Sequence, residues 1–525
     1  MDNKITQSAN VVTPFPRVIG SAACIANAEQ EGQGDGVAYY STNGKAPLAT
    51  LEKAVVKGLA EDKGLYMPER INPLPKEFFD EMSQMTFQEV AYRVADRFFG
   101  EDIPAEDLKR IVYDTLSFDC PLVKVEENIY SLELFHGPTL AFKDVGARFM
   151  ARMLQTLLPA SPRNGGGAEL VGNQSPSPLR ERDLGRGSSV NVLVATSGDT
   201  GSAVANGFLG VEGIHVYVLY PKGKVSPIQE CQFTTLGQNI TAIEVDGVFD
   251  DCQALVKSAF MDAELNAHMQ LTSANSINVA RFLPQSFYYF WAVAQFMKVE
   301  SLKFKVESYA SGESETGRNQ GAAQKLSTLN FELSTPLVCC VPSGNFGNIC
   351  SALFGKRMGL PISRFIAANN ANDVFYEYLQ TGEYRPRPSV QTLANAMDVG
   401  DPSNFARIYD LYGRSHEAIS KDISGATYTD EQIAETIRQC LKDTGYLLDP
   451  HGACGYRALK ENLRPGEVGF FLETAHPAKF KDTVERITGQ PVAIPDKLAA
   501  FMKGQKQSVS MTKNFADFKA YLLAQ

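Results

Sequence analysis

Lys143 stands between Phe142 and Asp144 in HGPTLAFKD (136–144), just ahead of Val145, Phe149, Met153, Leu154 and Leu157, apolar side chains at helical spacing. The pattern predicts a helix beginning at the lysine, and a helix N-terminus already carries partial positive charge. A buried cation there is eased by losing its proton, and a neutral lysine amine is a nucleophile that can form a Schiff base with a carbonyl. Two other segments offer anion-binding chemistry. ATSGDTGSA (195–203) and PSGNFGN (342–348) each follow a strand-like run and open onto a helical one. Hydroxyls and backbone N–H groups at such a turn form a cradle for a carboxylate or phosphate. Gly344 and Gly347 let the backbone approach that anion closely. Neither loop has GxGxxG or P-loop spacing, so nucleotide binding is a weak reading. Alone, each loop reads as a tight turn and Lys143 as a solvated surface lysine. Together, an activated lysine and two anion cradles suit pyridoxal phosphate, which needs an amine, a nest for its phosphate and a partner for its ring nitrogen.

The elements around these residues alternate. VNVLVAT (190–196), HVYVLYP (215–221) and ITAIEVDG (240–247) read as strands, and the pattern resumes at PLVCCVPSGNFGN (336–348) and RFIAANNAND (364–373). Between them SPIQECQFTTLG reads as a helix with Ser226, Pro227 and Gln229 in a capping box, and FDDCQALVKSAF as the next helix. Short connections between alternating strands and helices predict an α/β fold with parallel sheets wound by helices, and ligands bind beyond the carboxyl ends of such strands.

Along the chain, residues 1–36 are polar and read as a flexible arm. Residues 37–125, with TFQEVAYRVADRFF, read as an N-terminal segment packing on the main body. The catalytic region is 126–525, with a smaller α/β subdomain around 190–275. Stretches 161–189 and 306–334 are poor in large apolar residues and read as surface insertions.

Composition narrows the function classes. A formal net charge of -10 and a sequence pI near 5.3 argue against nucleic acid or an anionic membrane as partner. Nine scattered cysteines without a CxxC pair, and six histidines without ligand spacing, predict no disulfide framework and no metal site. No apolar run has the length of a membrane span, and the first residues lack a signal pattern, so a reduced cytoplasm is expected.

Eight segments carry a resemblance. HGPTLAFKD, ATSGDTGSA, YPKGKVSPIQE, NSINVARFLPQ, PSGNFGN, NAMDVGDPSNF, LDPHGACGYRAL and ETAHPAKF stand in the order and context of the threonine synthases. The chain resembles that family from about Tyr39 to about residue 490, outside the two insertions, and is closer to its bacterial and fungal branch than to the plant branch. The resemblance implies the fold of the tryptophan synthase β chain (fold type II), pyridoxal 5'-phosphate, and conversion of O-phospho-L-homoserine and water to L-threonine and phosphate. It implies Lys143 as the Schiff-base lysine. Ser343, Gly344, Asn345, Phe346, Gly347 and Asn348 would hold the cofactor phosphate, with Asn348 where the family usually has Asp. Thr474 would meet the pyridine nitrogen. Ser197, Gly198, Asp199 and Thr200 would surround the substrate carboxylate and the cofactor's phenolic oxygen, with Asp199 turned away because two carboxylates repel. Asn275, Ser276, Asn278 and Arg281 would take the substrate phosphate, for which an arginine fork is well suited. Lys222 and Lys224 are expected at the rim, and His136, His451 and His476 in hydrogen bonding rather than catalysis. A monomer or homodimer acting on a small molecule is expected. Two other readings stay open: a related lyase of the same fold, such as a dehydratase or cysteine synthase, and a relative that binds cofactor without catalysing.

Overall fold

The computed structural model describes residues 36–158, 189–310, 333 and 335–525. The expected N-terminal arm (apart from residue 36) and most of both insertions lie outside the described residues. Residues 306–310, the start of the second expected insertion, continue the Ser286–Ala310 helix, since VESYA holds no glycine or proline to stop it.

Strands β1 (Tyr39–Ser41) and β2 (Tyr66–Pro68) form a small antiparallel sheet, followed by helices that include Phe87–Phe99. Thr86 and Glu89 close a capping box on that helix, as TFQE suggests. Strands β3 (Leu122–Glu126) and β4 (Ile129–Glu133) follow, so the N-terminal segment hands over to the main sheet slightly before residue 125.

The rest is two largely parallel sheets. One holds β5 (Val190–Ala195), β6 (Ile214–Pro221), β7 (Ile240–Asp246) and β8 (Gln270–Ser273). The other holds β3 and β4 with β9 (Leu337–Pro342), β10 (Arg364–Asn369), β11 (Ile423–Thr427) and β12 (Val468–Glu473), in the order β11-β10-β9-β12-β4-β3. Every neighbouring pair is parallel except β3 with β4. VNVLVA and LVCCVP are buried along their whole lengths, as expected of parallel strands covered on both faces.

The smaller sheet is not confined to 190–275. Strand β13 (Val509–Thr512) pairs in parallel with Ile243–Asp246, giving the order β13-β7-β6-β5-β8. Four residues, VSMT, with only Met511 buried, make a strand too short to register as a pattern.

The loops that carry chemistry leave the carboxyl ends of β5, β8, β9 and β12. The Lys143–Leu157 helix meets them there, burying Val145, Phe149, Met150, Met153 and Leu154. The backbone N–H of Phe142 donates to the carbonyl of Thr474 at 2.9 Å, so the exit of β12 fixes where this helix begins. Together with the Ala141–Ala475 bridge and the His476 N–H donating to the Leu140 carbonyl, that bond places Lys143 beside the loops.

Candidate active site

One pocket is lined by Lys143, Ser197, Thr200, Asn275, Ser276, Arg281, residues 343–348 and Thr474. It also takes in Phe249 and Gln253 from the smaller sheet's side and residues 395–399 from the larger. A second surface cavity, lined by Phe118, Pro138, Lys497 and Phe501, contains none of these residues.

Lys143 is the first residue of its helix, its ammonium 5.4 Å from the Phe142 ring centroid, and it makes no hydrogen bond or ion pair among the described residues. Burial lowers its pKa to about 8; the nearby Asp199 charge opposes the fall, and the Lys479 and Arg281 charges add to it. The amine is therefore partly neutral near physiological pH.

Lys479 escaped the sequence reading. It lies fully buried just past β12, and its ammonium reaches Asp199 Oδ1 at 2.6 Å and the Thr139 carbonyl at 2.9 Å. Burial alone would raise the Asp199 carboxyl, but Lys479 and Lys143 outweigh it and hold Asp199 well below the usual carboxylate range. Gln229 Nε2 donates to the same oxygen at 2.8 Å. The expected capping box is thus half present: Ser226 accepts from the Gln229 backbone, while the Gln229 side chain serves Asp199 instead of Ser226.

In the β5 loop, Ser197 and Thr200 face the pocket, and their side chains form no hydrogen bond among the described residues. Gly198 and Asp199 do not line it. The Gly198 N–H donates to Thr196 Oγ1, and its φ of +143° belongs to glycine. Asp199 is turned inward toward Lys479, as charge repulsion predicts. The expected four-residue anion site is therefore a pair of hydroxyls.

The β9 loop differs. The backbone N–H groups of residues 344–348 have no acceptor among the described residues, and the Gly347–Arg357 helix that follows has no side-chain cap and no acid in its first turn. Asn348 Oδ1 accepts from the hydroxyls of Tyr288 and Tyr289 at 2.5 and 2.7 Å, which leaves its buried Nδ2 without a partner. Orphan donors at an uncapped helix N-terminus fit a phosphate. Ser343 and Asn345 line the pocket, but their side chains tie the loop together: Ser343 Oγ donates to the Val341 carbonyl, and Asn345 bridges Ser276 Oγ and Ser403 N. Phe346 holds φ +60° with its ring 4.5 Å from Phe375.

Arg281 is 2% exposed and has no carboxylate partner among the described residues. Its Nε donates to the Ala274 carbonyl at 2.7 Å and Nη1 to the Lys143 carbonyl at 3.1 Å, while Nη2 has no acceptor among the described residues. Burial lowers its pKa to about 10, so it stays charged. Ser276 Oγ accepts from Asn345 and Asn404 amides at 2.9 and 3.0 Å, leaving its own proton to donate. Asn275 Nδ2 donates to the Ala195 carbonyl at the pocket wall. Asn278 does not join them. It caps the Val279–Phe282 turn through Ala280 N, its amide donates to the carbonyls of Val55 and Ser273, and it is fully buried away from the pocket.

Arg407, also unforeseen, is fully buried over the Phe282 ring and donates to the carbonyls of Tyr66, Ser276 and Ile277, clamping the Ser276 turn. Thr474 lines the pocket with its hydroxyl unpartnered among the described residues. Of the three histidines only His451 faces the pocket. His136 contacts Glu133, and His476 caps the turn at Ala478. Lys222 and Lys224 are exposed and outside the lining. Among the described residues no group of three or more His, Cys, Asp or Glu is placed to hold a metal, and no helix is long and apolar enough to cross a membrane.

Residues 38–116 match the family described as threonine synthase N terminus, 304–473 the pyridoxal-phosphate dependent enzymes, and 452–522 the threonine synthase C-terminal family. A threonine synthase of Haemophilus influenzae is 41% identical over 92% of this chain and 99% of its own. The crystal structure of threonine synthase from Escherichia coli superposes with a TM-score of 0.76 at 38% identity, covering 93% of this chain and 99% of that one. A structure of PLP-bound threonine synthase from Brucella melitensis gives 0.75 at 32% identity, with the same coverage. On sequence, fold and pocket together, the chain belongs to the threonine synthase family of pyridoxal-phosphate-dependent enzymes.

Proposed function

We propose that the pocket converts O-phospho-L-homoserine and water to L-threonine and phosphate, with Lys143 as the cofactor-bearing lysine and the proton carrier. The observation that carries this reading is Arg281: a buried, charged guanidinium tethered to the carbonyl of Lys143, with one nitrogen left open toward the pocket.

The residues fit pyridoxal 5'-phosphate. The free N–H groups of residues 344–348 and Asn348 Nδ2 would hold its phosphate, and the Thr474 hydroxyl would meet its ring nitrogen. When bound, the group supplies an electron sink for charge developing at the substrate's Cα. A hydroxyl partner holds the ring nitrogen less firmly protonated than a carboxylate would, which tempers that sink. Ser197 and Thr200 donate to the substrate carboxylate. Arg281 Nη2 and the Ser276 proton hold the substrate phosphate and favour its departure, since charge on that group grows as the Cγ–O bond breaks. Lys143, freed by the incoming substrate, carries one proton at a time. It takes the Cα proton and releases it to solvent, from which the departing phosphate is protonated. It then takes the Cβ proton and returns it at Cγ once phosphate has left. After water has given its hydroxyl to Cβ and its proton to the amine, the lysine restores the proton at Cα. A lysine with a pKa near 8 can accept and release protons near neutral pH, which this sequence of transfers demands. The enzyme acts in the cytoplasm as a monomer or homodimer, with no nucleic-acid partner.

Steady-state kinetics test the assignment. Arg281→Ala should leave bound-cofactor absorbance nearly unchanged while lowering phosphohomoserine kcat/KM about ten- to a hundredfold, the worth of a charge-assisted contact. Arg281→Lys should recover only part, because an ammonium lacks the fork. Equal losses on serine, which has no phosphate, would make Arg281 structural.

A further inference from the structure

Two buried carboxyls stand behind the pocket wall without a part in that chemistry. Glu473 ends β12, one residue before Thr474, and Asp449 caps the Pro450–Asn462 helix. Both are fully buried. One oxygen of each is engaged: Glu473 Oε1 accepts the Asp449 backbone N–H at 2.6 Å, and Asp449 Oδ1 accepts the His451 backbone N–H at 2.6 Å. The remaining oxygens, Glu473 Oε2 and Asp449 Oδ2, are buried without a donor among the described residues.

Among the described residues no Lys or Arg pairs with either acid to neutralise two charges. Glu133 lies opposite Glu473 in the β4–β12 register, Tyr446 donates its hydroxyl to Glu133, and His476 is a half-buried histidine whose pKa burial lowers. The remaining titratable neighbours are Cys454, a buried thiol whose pKa burial raises, Asp398, which lies near His451, and His451 itself, whose Nδ1 lies 2.6 Å from Asp449 Oδ1. Its Nε2 faces the Ala396 backbone N–H at 3.1 Å and so must accept. With Nε2 an acceptor, the imidazole is neutral and carries its proton on Nδ1, where it donates to Asp449. It cannot lend the acids a charge. Adjacent carboxylates in a site without a compensating cation cannot both ionise, and one proton between the two orphan oxygens satisfies both.

We propose that Glu473 and Asp449 share a single proton, and that this pair, acting through the Nδ1–H form of His451, positions the 395–399 segment against the 343–348 loop. Burial and the Asp449 charge push the Glu473 carboxyl far above its ordinary range, in agreement. The mechanical link is short: Ala396, held by His451, and Met397 pack so closely on Gly344 that a Cβ there would sit 2.9 Å from the Ala396 carbonyl oxygen and 2.7 Å from Met397 Cα. These are positioning residues; none touches the reacting atoms. Only the kinetic part of the following test rests on the proposed reaction.

Nitrogen-15 NMR of the histidine-labelled holoenzyme reads the His451 tautomer directly, and the expected result at pH 7 is a protonated Nδ1 with an unprotonated Nε2. Glu473→Gln keeps the shape of the protonated acid and donates permanently. It should preserve that tautomer and keep kcat/KM within about threefold, whereas Glu473→Ala should lose about tenfold or more, as expected when buried polar partners are orphaned. Stability gives a second signature. A shared proton raises the folded pKa of Glu473 above its unfolded value, so the parent loses stability as pH rises above about 4.5, and Glu473→Gln does not. The Tm of the variant relative to the parent should therefore climb between pH 5 and 8. An Nε2–H or doubly protonated His451, or a Tm difference flat with pH, would overturn the proposal. If the parent failed to turn over phosphohomoserine, the proposed function would fall while these two readouts still decided the proton's place.

Discussion

The glycine loops after β5 and β9 share a plan: a buried parallel strand, a short turn, a helix N-terminus facing one pocket. In the β5 loop the first residue of the helix is Asp199, an anion supplied by the chain itself and held by Lys479 and Gln229. The β9 loop has no such acid, and its N–H groups and Asn348 Nδ2 stay without partners. A first turn that already carries a buried carboxylate disfavours a second anion through charge repulsion, while one without an acid favours an external anion. On the proposed function, two loops that look equivalent as strings divide the work. The β9 loop suits the cofactor's phosphate, and the β5 loop offers hydroxyls to a carboxylate while its acid tunes Lys143.

Removing the internal anion should have the largest effect on that contrast. Asp199→Asn leaves the buried Lys479 ammonium uncompensated, and breaking such a pair costs about 3–5 kcal/mol, read as a lower midpoint of urea unfolding. Asp199 has a depressed folded pKa, so its contribution is present above the ordinary value of 3.8 and fades as pH falls through it. The variant's deficit should narrow only in that acid range. A deficit constant with pH would mean that the ion pair is not its source.

Crowding the open loop should act on the cofactor rather than on the fold. In Gly344→Ala the new Cβ meets backbone atoms of Ala396 and Met397, which cannot move aside cheaply. Overpacking costs about 1–3 kcal/mol, so cofactor affinity, followed by absorbance on dialysis, should fall roughly ten- to a hundredfold. Unchanged retention would remove the β9 loop from the cofactor's phosphate. The smallest effect is expected from deleting residues 165–187, which carry little to bury: activity and solubility should stay close to those of the parent. A large loss of either would show that this stretch packs on the core or reaches the pocket.

Much of this was legible in the sequence because the chemistry sits at strand ends, where alternation of strands and helices announces a loop. Lys143, Ser197, Thr200, Ser276, Arg281 and Thr474 reach the pocket as their motifs suggested. What was missed depended on partners distant in the chain. Lys479 is two hundred and eighty residues from Asp199, and nothing local says that it turns inward. Asn278 sits in a motif that points to the substrate, but an Asn directly before the VARF turn is also a helix-cap signal, and the cap prevails. Gln229 held the right place for a capping box, but a buried carboxylate was the stronger partner for its amide. Strand β13 is defined by β7 rather than by its own four residues.

The assignment of Lys143 can be tested against the site's other lysine. Lys479 is bound to Asp199 and to the Thr139 carbonyl, while the Lys143 amine has no such partner among the described residues and a pKa lowered to about 8. Borohydride reduction of the cofactor-loaded enzyme, followed by peptide mapping, should place the label on Lys143 alone, and Lys143→Ala should abolish it. Label on Lys479, or covalent label persisting in Lys143→Ala, would contradict the account.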